Sequence, residues 1–274
     1  MRDFLQAMAR SSADRAAEAR SREPEAALRR RALATPPAPA LRLDPAGFDL
    51  IAEIKHRSPS AGRLAPQATP AGVAARAAAY ARGGAAAVSV LTEPDAFDGA
   101  LEHLEAAARG LPVPTLRKDF LVDPYQVLEA RAAGAGGVLL VLRILDDARA
   151  RELLEAASAL GLFVLLEAFD EEDLGRAAAL VPADAPGTIL LGVNARDLAD
   201  FSSETARHAR LAQAIPPGRP RVAESGITDA AAVRRAVREG YGLALVGQAL
   251  MLAPDPGALV AELVAAGRAE AGAP

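Results

Sequence analysis

Cysteine is absent from the 274 residues, which excludes disulfides, thiolate metal sites and a cysteine nucleophile together. Tryptophan is absent too, and aromatic residues make up 4% of the chain, so no platform for stacking nucleic-acid bases is apparent. A formal net charge of −4 offers no basic surface to nucleic acid or to an anionic membrane. The N-terminus, Met1-Arg-Asp-Phe-Leu-Gln6, soon meets further charges and has no apolar signal core. No later apolar run is long enough to span a bilayer. These absences predict a cytoplasmic protein with no nucleic-acid and no membrane partner.

The remaining scarcity is the most informative. Of 31 basic residues only Lys55 and Lys118 are lysine. Arginine stays protonated in proteins, whereas a lysine can give up a proton and shifts its pKa readily when desolvated. Each lysine sits near the end of a short apolar run that reads as a strand. The pattern points to proton transfer at those two places.

Half the residues are apolar, mostly alanine, leucine and valine, so a sizeable core is available, and the length is normal for a single α/β barrel. Residues 2–34 are rich in alanine, arginine and glutamate, with Phe4, Leu5, Met8, Leu28 and Leu33 as sparse apolar points. They read as one or two amphipathic helices. A proline-rich connector, Ala34-Thr-Pro-Pro-Ala-Pro-Ala-Leu41, ends that pattern. Residues 1–48 are therefore expected to form a helical extension and linker, and 49–274 a barrel, within one domain.

From Asp49 a rhythm begins. Strand-like runs fall at Leu50–His56, Ala86–Leu91, Val113–Lys118, Gly137–Leu142, Phe163–Glu167, Thr188–Asn194, Arg221–Glu224 and Leu243–Gly247. Helix-like stretches lie between and after them, at Pro70–Arg82, Ala100–Arg109, Pro124–Ala133, Asp146–Leu160, Glu171–Leu180, Ser203–Ala214, Asp229–Arg238 and Asp255–Ala266. Short strands alternating with helices imply parallel βαβ units, and near-continuous apolar strands are those buried on both faces. Glycines 83, 110, 134, 161 and 240 stand where helices should end. Eight such units predict an eight-stranded parallel β/α barrel; an open doubly wound sheet is the other arrangement of the same units.

In such a barrel the site lies at the C-terminal ends of the strands, and that is where this chain gathers its polar residues. Glu53 and Lys55 end the first strand and, two apart, point to the same side. Lys118 ends the third, Glu167 the fifth and Asn194, the chain's one asparagine, the sixth, with Arg196 just beyond. Glu224-Ser225-Gly226 ends the seventh and Gly247-Gln248 the eighth, a pair of strands whose loops often hold phosphate. Charges in a barrel mouth are costly unless paired, so their collection there by accident is improbable. Lys55-His-Arg-Ser-Pro-Ser-Ala-Gly-Arg63 is long, polar and glycine-containing, as a loop that closes over a substrate would be. His56 points away from Lys55 by alternation and reads as structural or exposed. His103 and His208 fall in helices and read as surface residues. No two histidines have metal-ligand spacing.

Five stretches in order, Ile51-Ala-Glu-Ile-Lys-His-Arg-Ser-Pro-Ser60, Ser89-Val-Leu-Thr-Glu93, Leu116-Arg-Lys-Asp-Phe120, Gly192-Val-Asn-Ala-Arg196 and Ala223-Glu-Ser-Gly-Ile227, resemble the indole-3-glycerol-phosphate synthase family. The resemblance implies decarboxylating ring closure and dehydration of 1-(2-carboxyphenylamino)-1-deoxyribulose 5-phosphate, an anionic sugar-phosphate derivative, without a cofactor or a metal. It implies that Lys118 is the general acid at the keto oxygen and that Glu167 and Glu53 handle protons. Lys55 would pair with the substrate carboxylate or supply a second proton, and Asn194 and Arg196 would orient the anthranilate part. Ser58, Ser225, Gly226, Gly247 and Gln248 fall where the family binds phosphate; Phe120 and Leu245 would line an apolar pocket, with Glu224 as a further substrate contact. The chain departs from the family pattern at Ala168-Phe169, Arg143 and Gln248. A paralogue acting on a substituted anthranilate, a sugar-phosphate isomerase on the same fold and a non-catalytic phosphate-binding barrel are the competing readings, and the expected assembly is a monomer or weak homodimer.

Overall fold

The computed structural model describes residues 2–44, 47–65, 69–182, 187–196 and 206–273. Eight parallel strands close into a barrel: β1 (Asp49–Ile54), β2 (Ala87–Leu91), β3 (Thr115–Lys118), β4 (Gly137–Val141), β5 (Phe163–Ala168), β6 (Ile189–Asn194), β7 (Arg221–Glu224) and β8 (Leu243–Val246). Each pairs with its neighbours in sequence, and β1 closes the ring against β8 with Ile51 opposite Leu245. All eight expected strands are present, within two residues of their expected bounds at either end.

Outside the barrel run α3 (Pro70–Arg82), α4 (Pro94–Phe97), α5 (Leu101–Ala108), α6 (Pro124–Ala132), α7 (Asp147–Ala159), α8 (Glu171–Leu180), α9 (Ala206–Ala212), α10 (Ala230–Arg238), α11 (Gln248–Leu252) and α12 (Pro256–Ala271). The helix expected over 203–214 is described from Ala206, its first three positions lying outside the described residues. The starts are set by side-chain caps. Thr69, Asp123, Asp146, Asp170, Asp229 and Asp255 each accept a backbone N–H from the first turn, and proline takes the first position of α3, α6 and α12. The stops after α5, α6, α7 and α10 use left-handed Gly110, Gly134, Gly161 and Gly240. After α3 that role passes to Gly84; Gly83, expected to serve, keeps a helical φ of −71°.

Strand alternation sorts the core into two shells. Leu50, Ala52, Ile54, Val88, Val90, Leu140, Val164, Leu166, Leu191, Ala244 and Val246 face the helices. Ile51, Ala87, Leu116, Leu139, Phe163, Leu165, Leu190, Val222 and Leu243 fill the barrel, with Leu41 and Leu43 of the connector packed against them. The polar strand ends stand above that plug.

The N-terminal segment forms two helices, α1 (Arg2–Arg22) and α2 (Glu25–Ala34), and both are docked. Leu28 and Ala32 bury against Tyr125 and Leu128 of α6. Arg20 makes paired bonds to Asp123 at 2.6 and 3.2 Å, and Arg15 reaches Asp119, the neighbour of Lys118, at 2.8 Å. Among the described residues no helix is long and apolar enough to cross a membrane.

Candidate active site

The alternation that puts Leu116 in the barrel puts Lys118 at its mouth, with Arg117 turned outward to Glu129 and the Gln126 carbonyl. By the same rule Glu53, Glu167, Asn194, Glu224, Leu245 and Gly247 turn inward. These and Lys55 line one cavity of about 230 Å³ at the C-terminal end of the strands. Two inward glycines make the room: a methyl added at Gly192 would overlap the Glu224 carboxylate, and one at Gly247 would overlap that of Glu53.

The charges form a graded network. Lys55 Nζ lies 2.6 Å from Glu53 Oε1, a close ion pair. Lys118 Nζ is 3.4 Å from Glu167 Oε2 and 3.7 Å from Glu224 Oε2, so it is shared more loosely between two acids. Burial opposes its charge, but Glu167, Glu224 and Glu53 outweigh burial and hold the ammonium above its ordinary value. Burial likewise opposes ionisation of Glu53, and the fields of Lys55 and Lys118 reverse it, leaving that carboxyl below its usual range. Glu224 goes the other way. Burial, then the Glu167 carboxylate, push it well above the carboxylate range against the pull of Lys118. Neither oxygen of Glu224 accepts a hydrogen bond, and Glu167 stands where a proton on Glu224 can be shared. Around the cavity Glu53, Asp119, Glu167 and Glu224 stand among Lys55, Lys118 and Arg196, so cationic groups are present to meet an anionic ligand.

At the β6 and β7 ends, Asn194 Oδ1 accepts from Ser225 Oγ at 2.8 Å and from Arg196 N at 2.9 Å. Ser225 and Gly226 take consecutive left-handed conformations, φ 67° and 74°. Glycine does so freely; for Ser225 the conformation costs about 1–2 kcal/mol, and the Asn194 bond helps to hold it there. Arg196 reaches across the mouth, Nη1 donating to Ser60 Oγ at 2.5 Å, so the loop after β1 is tied to the end of β6.

Of the residues expected from sequence, Glu53, Lys55, Lys118, Phe120, Glu167, Asn194, Arg196, Glu224, Ser225, Gly226, Leu245, Gly247 and Gln248 all line the cavity. Ser58 does not. It is buried in a short hairpin, Arg57–Ser58 against Gly62–Arg63, where its hydroxyl accepts from Ala61 N at 3.2 Å. Two histidines are corrected. His208 is buried, not at the surface, because its ring nitrogen meets strand-end carbonyls. His103 is half-buried, packed 5.5 Å from the ring of His56, which is itself buried away from the cavity.

Several lining residues were not legible beforehand. Phe4 comes from α1 and sets its ring edge-on to Phe120 at 6.2 Å; Phe97 of α4 lies 6.3 Å from the same ring. Nothing in a helical period says which face covers a distant barrel mouth. Leu139 and Val141 also line the wall, and the alternation along β4 was the signal for them. Among the described residues no three acidic or histidine side chains converge to hold a metal ion.

Comparison with known proteins agrees with this geometry. The profile of one family, described as "Indole-3-glycerol phosphate synthase", matches residues 5–263. The protein of that name from a Nocardioides species is 48% identical over 211 residues, covering 77% of this chain and 78% of the relative. The one from a Parafrankia species is 46% identical over 218 residues, with 80% and 78% covered. Among solved structures, 3-hexulose-6-phosphate synthase from Salmonella typhimurium superposes with a TM-score of 0.62 at 14% identity, over 80% of this chain and 98% of that one. At that identity the likeness speaks for the barrel alone. The profile match and the identities place the chain in the indole-3-glycerol phosphate synthase family.

Proposed function

We infer that this cavity closes an indole ring: it takes 1-(2-carboxyphenylamino)-1-deoxyribulose 5-phosphate to indole-3-glycerol phosphate, carbon dioxide and water. In the first step the ring carbon bearing the carboxylate attacks the keto carbon. The carbonyl π-electrons move to oxygen, which takes a proton from Lys118. A developing alkoxide is a stronger base than the lysine's neutral amine, so that transfer runs downhill even with the lysine held strongly protonated. The carbon–carboxylate bond then breaks, its electron pair restores the aromatic ring and CO2 leaves. Finally the hydroxyl departs as water with a proton from an acid at the site, and Glu167 takes the proton from the adjacent carbon.

Support for these roles comes from one convergence: both of the chain's lysines and three glutamates meet at the floor of a single cavity. Lys55, 2.6 Å from Glu53, stands ready to pair with the substrate carboxylate. Phe4, Phe97 and Phe120 offer an apolar wall to the anthranilate ring, with Leu245 across from it. Ser225, Gly226, Gly247 and Gln248 sit at the β7 and β8 ends, where small residues let backbone N–H groups approach a phosphate. Ser58, in the hairpin beside the cavity-lining Pro59, joins them in the phosphate-binding reading. The reaction belongs to one domain, extension and barrel together, working in the cytoplasm as a monomer or weak homodimer.

The test is turnover of that deoxyribulose phosphate, followed by the fluorescence of the indole product. Growth of that signal with release of CO2 is expected. Saturable binding of the substrate with no product would make the barrel a binding protein and overturn the reading.

A further inference from the structure

Two polar side chains of α9 are buried and reach the main chain of the strand ends. His208 is 2% exposed, and its Nε2 lies 3.0 Å from the carbonyl oxygen of Glu224 and 3.3 Å from that of Val193. Two carbonyl acceptors require the hydrogen to sit on Nε2, which fixes the tautomer. Those carbonyls belong to the ends of β7 and β6, adjacent strands in which Asn194 stands opposite Glu224. Arg207, 6% exposed, donates from Nη1 to the carbonyls of Arg196 at 3.2 Å and Asn194 at 3.4 Å. One dipeptide thus engages four main-chain carbonyls, and three of the residues that own them, Asn194, Arg196 and Glu224, turn side chains into the cavity.

The dipeptide is itself held. Tyr241 Oη donates to the His208 carbonyl at 2.9 Å, and the two rings meet edge-on at 5.4 Å. Simple burial does not call for this chemistry. An apolar ring at 208 would fill the space without the cost of desolvating an imidazole, but it would leave the carbonyls of Val193 and Glu224 without this donor.

We propose that Arg207 and His208 are positioning residues for ring closure, fixing the backbone of the β6 and β7 ends so that Asn194, Arg196 and Glu224 meet the substrate in register. The proposal rests on the ring-closure reading and extends it one layer outward. The bonds that Ser225 Oγ and the Arg196 backbone N–H donate to Asn194 Oδ1 hold the same unit from inside the cavity, and α9 holds it from outside. A site tolerates little displacement, since a shift of about 1 Å costs on the order of a hundredfold in rate.

The experiment uses the full chain. His208→Phe keeps a ring of similar size and removes the donor, while His208→Gln keeps a donor that can reach one carbonyl. His208→Phe is expected to lower kcat/KM by roughly 10- to 100-fold per folded molecule. It should also shift the pH profile of kcat, because the spacing of Glu224 from Lys118 and Glu167 sets their proton sharing. His208→Gln should recover most of both. A His208→Phe protein with the wild-type profile, or one whose loss only tracks its folded fraction by circular dichroism, would overturn the proposal. Should His208→Phe fail to fold, Arg207→Met decides by the same readouts. A wild-type chain that turns over nothing would instead overturn the ring-closure reading, and this one with it.

Discussion

Lys118 holds its ammonium 3.4 Å from the Glu167 carboxylate, longer than the roughly 2.7–2.9 Å of a charge-assisted hydrogen bond. Lys55 and Glu53, at 2.6 Å, are the locked pair. The two lysines of this chain are thus in different states. One sits close against a single acid; the other donates to Glu167 at long range and is shared with Glu224.

Loss of that loosely held donor should therefore be felt in the chemical step. Lys118→Ala is expected to lower kcat by on the order of 10²–10⁴-fold, the usual range for a lost general acid. Lys118→Arg should fall nearly as far, since guanidinium keeps the charge but does not give up its proton. Steady-state turnover of the deoxyribulose phosphate measures both, and near-wild-type kcat in the arginine variant would remove Lys118 from the acid role.

Glu224 makes a prediction about stability. Its folded-state pKa is raised by burial and by Glu167, so the neutral form fits the fold. The stability it contributes is complete below the ordinary carboxylate pKa and is lost as pH rises through its raised value. Glu224→Gln supplies a permanently neutral group of the same shape. The variant should match the wild type near pH 4 and unfold at higher temperature than it at pH 8. Thermal melts across that range check the sign, and a variant less stable at pH 8 would mean that the fold requires the charge.

Gly192 and Gly247 are tests of space. A methyl at either position meets the far end of a buried glutamate, Glu224 or Glu53, not backbone. The side chain can swing aside, so Gly247→Ala should still fold, but the Glu53–Lys55 pair must move. We expect at least a tenfold fall in kcat/KM, on the scale of an ångström of misplacement, with the cooperative melt retained. Gly242→Ala meets no atom within 4 Å and is the matched control.

The barrel was legible because its causes are local: alternation on strands, caps on helices and eight repeats of the pair. Most of the site was legible for the same reason, since a residue at the end of an inward-facing row has nowhere to go but the mouth. Ser58 stands outside the cavity wall because the loop after β1 folds into its own hairpin, where strand alternation no longer applies. Phe4 was missed because docking of α1 depends on contacts made over a hundred residues away, such as Arg15 with Asp119 and Gln126 Nε2 with Ser12 Oγ at 2.7 Å. His208 was misread because helical position says which face is inward only when apolar residues mark it, and here a polar ring takes the inward place.

His56 yields the last prediction. Its ring is buried against His103; burial first, then His103, Arg76 and Arg63 lower its pKa from 6.5 to about 4 against the opposing pull of Asp98. A histidine depressed in the fold contributes stability above its ordinary pKa that is lost as pH falls, because the unfolded chain takes up a proton which the folded one refuses until about pH 4. Wild-type stability should therefore decline between pH 6.5 and 4 by up to one proton more than in His56→Phe, which keeps a ring against His103 and cannot titrate. Urea unfolding at half-unit steps of pH gives the two slopes. Parallel curves would show that the folded imidazole protonates as readily as a free one, and that the loop after β1 does not shield it.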